Sequence, residues 1–230
     1  MKCPFSGVVA QWLECLPVTQ KVVGSSPIYP VMITPLFPSI LHTLDMKDFD
    51  KDLLLAYVFH QHELDPKGVV LSNQGGWQSK DNYQEFDNPI RQILIKNLSQ
   101  IFSPQVVSID KKGLFILNMW ININGYGDDN VDHIHSGSHL SGTFWIQVPE
   151  NSGNLQIHSP HAFTQFQELN WYNKEFRDSV NKHLCYDVYP REGRVVIFPS
   201  SLYHRVGHNL SDQNRISVAF NIQLGSNSSM

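Results

Sequence analysis

The sequence predicts a mainly β fold with flanking helices, a roll of strands with two N-terminal helices packed outside it. Three observations carry that expectation. Stretches after Gly113 alternate apolar and polar side chains with period two, as half-buried strands do. Two earlier segments place apolar residues at helical spacing between capping signals. Finally, His133-Ile134-His135 puts two imidazoles on one face of a strand, because side chains alternate across the pleat. A third, His204, follows Phe198-Pro-Ser-Ser-Leu-Tyr, so rolled strands can close a three-ligand face.

Composition sets the outer bounds. A chain of 230 residues suits one domain with a sizeable core. A formal charge of −4 gives no electrostatic reason to expect nucleic acid or a membrane surface as partner. No apolar run approaches the ~20 residues of a membrane span, and no clean signal pattern opens the chain. Cys3, Cys15 and Cys185 have neither metal-ligand spacing nor a disulfide framework, so a reducing cytoplasm is expected.

Residues 1–31 read unlike a domain. Ser6-Gly-Val-Val-Ala-Gln-Trp-Leu-Glu and Val22-Val-Gly-Ser-Ser-Pro27 resemble the conceptual translation of a transfer-RNA gene, which would place the true start at Met32; a natural disordered tail is the alternative. Residues 32–224 are expected to form a single domain and 225–230 a flexible tail.

Pro35-Leu-Phe-Pro-Ser-Ile-Leu reads as an edge strand with prolines at its margins. Met46 to about Glu63 has helical apolar spacing and ends before Pro66-Lys-Gly68. Asn88-Pro89 reads as a cap followed by proline at the first helical position, opening a second helix to about Phe102.

From Leu114 to Asn124, Phe115, Leu117, Met119, Ile121 and Ile123 fall on one face. Asn118, Trp120, Asn122 and Asn124 share the other with Leu114 and Ile116. Such a strand suits a barrel wall with an apolar outer face and a polar pocket inside. Alternation recurs in Thr143–Val148, Asn154–His158 and Arg215–Ile222, and Val195-Val-Ile-Phe198 is a continuous apolar strand. Residues 161–182 are too long for a hairpin loop and read as an insert that covers the pocket.

Imidazole is a good ligand for iron, which needs about three protein ligands on one face when it must also bind a cosubstrate and dioxygen. His133, His135 and His204 are the candidate metal ligands; His208 is a rival third ligand and His139 a possible fourth. Asp132 is out of phase with His133 and should point away. His60-Gln-His62 repeats the spacing at a helix end, where i and i+2 diverge by ~200°, so that pair reads as surface polarity. Arg215 shares a strand face with Ser217, Ala219 and Asn221. A buried arginine needs a partner, and a carboxylate suits its planar fork, with the Ser217 hydroxyl adding a bond. The alternative is an ion pair within the chain. Asn122, Asn118, Trp120, Thr143 and Trp145 line the inner wall by phase, with Asn122 a further candidate for cofactor contact.

These residues resemble a known family. Leu36-Phe-Pro-Ser, Ser72-Asn-Gln-Gly-Gly-Trp-Gln-Ser79, His133-x-His135, Leu140-Ser-Gly-Thr-Phe-Trp145, Ser152-Gly153, Phe198-Pro-Ser200, His204 and Arg215-Ile-Ser217 are similar to the 2-oxoglutarate/Fe(II)-dependent oxygenases common in marine phage and bacterial genomes. The resemblance runs from about Met32 to Asn221. It implies a double-stranded β-helix (jelly-roll) core, Fe(II) on His133, His135 and His204, and 2-oxoglutarate on Arg215. With O2 as second cosubstrate, it implies hydroxylation of a substrate the sequence does not identify, with release of succinate and CO2. The position that normally supplies an aspartate ligand is His135 here, which removes one negative charge from the metal's surroundings.

Two other readings stay open at this point. Gly127-x5-His133-x-His135 and Gly193-x5-Pro199-x-Ser201-x2-His204 fit the signatures of cupin-type metalloproteins, with His139 near the usual glutamate; Arg215-x-Ser217 is what cupins have no general need of. A metal-free jelly-roll binding module is the third possibility.

Overall fold

The computed structural model describes residues 39–82, 87–102, 113–160, 173–175 and 185–225. The expectations for residues 1–31, for nearly all of the 161–182 insert and for the tail beyond 225 lie outside them. In chain order the elements are β1 (His42–Asp45), α1 (Lys51–Leu64), β2 (Asn73–Gln74), β3 (Trp77–Gln78), α2 (Pro89–Ile101), β4 (Gly113–Asn124), β5 (Asp129–His133), β6 (Leu140–Gln147), β7 (Leu155–His158), β8 (Cys185–Val188), β9 (Arg194–Pro199), β10 (His204–Val206) and β11 (Arg215–Gly225).

The strands form two antiparallel sheets. One has the order β1-β9-β6-β11-β4-β3, the other β2-β5-β10-β7-β8. Trp145, Val196 and Phe198 of the larger sheet pack with Leu155, Ile157 and Val188 of the smaller in one buried cluster, so the sheets face each other. The opposite face of the larger sheet, through Met119, Ile121, Phe144, Ile197, Val218 and Phe220, shares a second cluster with both helices. Burying each such side chain contributes about 1.5–3 kcal/mol, and this double-sided burial makes the larger sheet the rigid wall of the molecule.

Helix α2 begins as the sequence predicts: the Asn88 side chain accepts from the Ile90 and Arg91 amides at 3.0 and 3.1 Å, with proline next. Ile90, Leu94, Leu98 and Ile101 then repeat along one buried stripe. Helix α1 starts at Lys51 rather than Met46. The Asp50 carboxylate caps it by accepting from the Leu53 amide at 3.0 Å, whereas the Met46 amide is already committed to the Gly193 carbonyl at 2.9 Å.

Two further expectations are corrected. The edge strand is His42–Asp45, paired with β9; residues 39–41 are not strand. The first part of the predicted strand, residues 35–38, lies outside the described residues. Ile116 does not share the face of Asn118 but lies in the outer cluster with Met119 and Ile121. Asn221 pairs with Asn118 and Ile222 with Ile116, skipping Leu117. One extra residue in a strand flips every side chain beyond it to the other face.

Candidate metal centre

β5 ends at His133, and its register partner on β10 is His204. His135 lies two residues past the end of β5, its amide bonded to the Ser200 carbonyl at 3.1 Å. The ring centroids of His133 and His204 are 4.3 Å apart, and each lies 5.0 Å from His135. One nitrogen from each ring falls within 4.8 Å of the other two. Three nitrogens gathered this closely could converge on one metal ion.

The hydrogen bonds settle which nitrogen is free. His133 Nδ1 lies 2.7 Å from the Val131 carbonyl and His204 Nδ1 lies 2.9 Å from the Leu202 carbonyl. A carbonyl only accepts, so both Nδ1 atoms carry the proton and both Nε2 lone pairs are available. His135 Nδ1 is 2.6 Å from Asn221 Oδ1, whose amide nitrogen donates to Asn118 Oδ1 at 2.8 Å. Ser141 Oγ donates to the same Asn221 oxygen at 2.8 Å and meets Ser200 Oγ at 2.8 Å. All three rings are thus held by their Nδ1–H, the arrangement that fixes tautomer and orientation for a metal on Nε2. Burial, reinforced by the neighbouring His133 imidazole, pushes the His204 ring down to about 3. Burial also lowers His133 and His135, so the three rings are neutral and ready to donate at neutral pH.

Arg215 is 1% exposed. Its Nη1 donates to the carbonyls of Ser152 and, at 2.9 Å, Gly207. Its Nε and Nη2 are buried without a partner, and burial brings the guanidinium down to about 10 although Asp128 and Asp129 draw it up. Among the described residues no carboxylate is in ion-pair contact with it. On β11, Arg215 and Asn221 are in phase, and Asn221 holds His135; the Arg215 face is therefore the face of the imidazoles. Register places Asn124 opposite Arg215 and Asn122 opposite Ser217. Both asparagines are buried with Oδ1 unpaired, as is Ser152 Oγ. Leaving such groups unsatisfied costs ~1–3 kcal/mol apiece; the two unfilled donors of Arg215 and the Ser152 hydroxyl suit a small anion, whereas the two amide oxygens, which only accept, call for a donor. The donor sets at both ends fit Fe(II) and a dicarboxylate.

Gly153 explains one motif. Its φ is +79°, and a Cβ there would meet the Gly207 carbonyl oxygen at 2.3 Å. Only glycine lets residue 152 approach closely enough for the Ser152 and Gly207 carbonyls to grip one guanidinium nitrogen.

The remaining candidates separate cleanly. His139 Nδ1 accepts from the Leu224 amide at 3.0 Å, and His208 Nδ1 is 3.0 Å from the Gly127 carbonyl; neither joins the cluster. Asp132 points away, as predicted, and pairs with His158. His60 is exposed on α1, while His62 meets the Trp77 ring edge-on at 5.0 Å. Trp120 lies on the inner wall 5.4 Å from His135, whereas Trp145 is packing between the sheets. Sequence reasoning missed Asn221, Ser141 and Asn124 as site residues. The phase of β11 was the signal that could have found Asn221.

A family model described as "Putative 2OG-Fe(II) oxygenase" matches residues 118–221. That span, somewhat under half of the chain, is similar to 2OG-Fe(II) oxygenases. On that match the chain is an oxidoreductase whose cofactors are Fe(II) and 2-oxoglutarate, with O2 as cosubstrate. Solved structures share the fold at low identity. The non-heme alpha-ketoglutarate-dependent carbocyclase SnoK from nogalamycin biosynthesis superposes with TM-score 0.57 at 12% identity, over 82% of this chain and 79% of its own. A prolyl hydroxylase from Trichoplax adhaerens, in complex with a hypoxia inducible factor peptide fragment, gives TM-score 0.52 at 12% identity, covering 80% and 83%. HygX from Streptomyces hygroscopicus, with nickel and 2-oxoglutarate bound, gives 0.50 at 12% identity, covering 82% and 83%. No curated protein matches the sequence. No helix among the described residues is long and apolar enough to cross a membrane.

Proposed function

We propose that the chain is a dioxygenase in which His133, His135 and His204 hold Fe(II) through Nε2 while Arg215, Ser217 and Asn122 hold the distal carboxylate of 2-oxoglutarate. The two facing sheets then read as a double-stranded β-helix with helices outside, occupying a single domain over residues 32–224. Bound together, the ion and cosubstrate supply oxidation of an unactivated C–H bond by O2, with succinate and CO2 as coproducts and a hydroxylated substrate as product.

The chain's own contributions follow from its geometry. The three Nδ1–H bonds keep the rings neutral and aimed, so no ligand has to lose a proton or turn before metal enters. Arg215 offers Nε and Nη2 to one carboxylate, and the Ser217 hydroxyl stands two residues along the same face. Ala219, between Ser217 and Asn221, leaves the inner wall uncovered where larger neighbours would fill it. Orientation at both ends places the reactive keto acid in one pose and limits side reactions.

The observation that carries this reading is the pairing of three Nδ1-locked imidazoles with a buried guanidinium that keeps two donors unpaired on the same inner face. Anaerobic titration of Fe(II)-loaded protein with 2-oxoglutarate tests it through the visible metal-to-ligand charge-transfer band. A band that saturates, is lost in His204→Ala and needs about 100-fold more 2-oxoglutarate in Arg215→Ala supports the assignment; absence of a band at millimolar cosubstrate sinks it. A succinate-release screen across substrate classes then addresses the primary substrate.

A further inference from the structure

The third ligand of the reading above is held differently from the other two. His133 and His204 each face a backbone carbonyl, which can only accept. His135 faces the side-chain amide of Asn221, and an amide turned end for end presents its NH2 group instead. In that orientation Asn221 donates to Nδ1, the ring proton sits on Nε2, and the nitrogen aimed at the metal is blocked. The ring carries one proton and no net charge either way, so only the tautomer differs.

The hydroxyls beside Asn221 do not decide between the two orientations. Ser141 Oγ lies 2.8 Å from Asn221 Oδ1 and 2.9 Å from His135 Nδ1. It meets Ser200 Oγ at 2.8 Å, where either partner can donate. Ser138 Oγ donates to Ser200 Oγ at 2.8 Å and has the His135 carbonyl as a second acceptor at 3.3 Å. With Asn221 Oδ1 toward the ring, donation runs from Ser138 to Ser200 to Ser141 to Asn221. With the amide turned, each hydroxyl rotates and the chain runs backward, from the Asn221 NH2 to the His135 carbonyl. Every hydroxyl has a partner in both directions. Such a chain transmits a direction without setting it.

The contact that tells the orientations apart lies at the far end of the amide. Asn118 is the register partner of Asn221 on β4, and its Oδ1 accepts from the Asn221 NH2 at 2.8 Å. We propose that Asn118 is a positioning residue that, through Asn221, sets the tautomer of His135 and so keeps its metal-binding nitrogen free. The proposal rests on His135 being a ligand, but the proton placement it concerns exists without metal. Removing the Asn118 acceptor strands the Asn221 NH2 if Oδ1 stays toward the ring. Turning the amide then gives both N–H bonds partners, His135 Nδ1 and Ser141 Oγ, and orphans only an oxygen. An orphaned N–H is the rarer of the two in folded proteins. An amide at 118 can itself turn, whereas a carboxylate there accepts at either oxygen and locks the direction.

The test reads the His135 tautomer in the metal-free full chain by nitrogen-15 NMR of labelled histidine, which separates protonated from bare ring nitrogens. Anaerobic titration gives Fe(II) affinity beside it. In the parent, His135 should carry its proton on Nδ1, as His133 and His204 do. Asn118→Ala should move much of His135 to the Nε2–H form, leaving the other two rings unchanged. Its Fe(II) affinity should fall by roughly 10–100-fold, the range for a lost outer partner. Asn118→Asp should restore the Nδ1–H form and at least the parent affinity, a recovery that follows the acceptor and that packing alone would not produce. An unchanged His135 tautomer in Asn118→Ala overturns the proposal, as does an Nε2–H form in the parent or in Asn118→Asp. These tautomer shifts in a chain that binds no Fe(II) would support the role of Asn118 and sink the metal assignment instead, so the two failures are told apart.

Discussion

His133 and His204 are direct register partners across the β5–β10 ladder, their ring centroids 4.3 Å apart. Each is fixed by the same device, an Nδ1 bond to the carbonyl two residues earlier in its own chain. Losing either ring leaves two ligands on a partly buried site. His133→Ala and His204→Ala should each lower Fe(II) affinity by more than about 100-fold, beyond what a lost outer partner costs, measured by anaerobic metal titration.

His135 has no such local bond and depends on Asn221. Asn221→Ala should lower Fe(II) affinity by roughly 10–100-fold while leaving the three ligands in place. Asn221→Asp, which keeps an acceptor for Nδ1–H, should recover most of it. Equal losses in both variants would show that Asn221 matters only as packing.

Arg215→Ala should raise the concentration of 2-oxoglutarate needed for half-saturation by about 100-fold, the scale of a buried charge pair truncated on one side. Ser217→Ala should raise it only about fivefold, as for a single neutral hydrogen bond. Metal affinity measured without cosubstrate should stay near that of the parent in both.

Gly153→Ala tests the carbonyl pair around Arg215. The left-handed backbone and the close Gly207 oxygen should destabilise the fold by about 1–3 kcal/mol. Cosubstrate affinity should fall as well, because the two carbonyls can no longer hold the guanidinium together. Denaturant unfolding and charge-transfer titration read the two effects separately.

Asp45 ties the edge strand down through a two-point contact with Arg194 at 2.7 and 2.9 Å. The Arg194 hydrogen bond holds its carboxyl below the ordinary 3.8. A depressed carboxylate stabilises the fold above its unfolded value and loses that contribution as pH falls through its folded one. Both partners are partly solvated, so Asp45→Asn should cost less than about 1 kcal/mol at pH 7. The gap between parent and variant should close below pH 3.8, as followed by urea unfolding at several pH values.

What the sequence made legible was local. The Asn88-Pro89 cap and the α2 stripe are each written within a few neighbours, and the structure places them as expected; His133 and His135 do come together, but His135 lies past the end of β5 rather than on it. Ile116 was misassigned because an extra residue in a ladder leaves no trace in periodicity until its partner strand is known. Asn221 and Ser141 escaped as supports of His135 for a related reason: they stand 86 and 6 positions from it, and only strand pairing brings them to one ring.

Both ladder irregularities flanking β11 fall on its neighbours, at Leu117 of β4 and at Ile146 of β6. β11 itself runs unbroken from Arg215 to Asn221, so one straight rod of roughly 20 Å spans from the anion's anchor to the support of His135. It acts as a ruler between the two ends of the cavity. Adding or deleting one residue there would change the reach and turn one anchor toward the helices, whereas the neighbouring strands already absorb such changes.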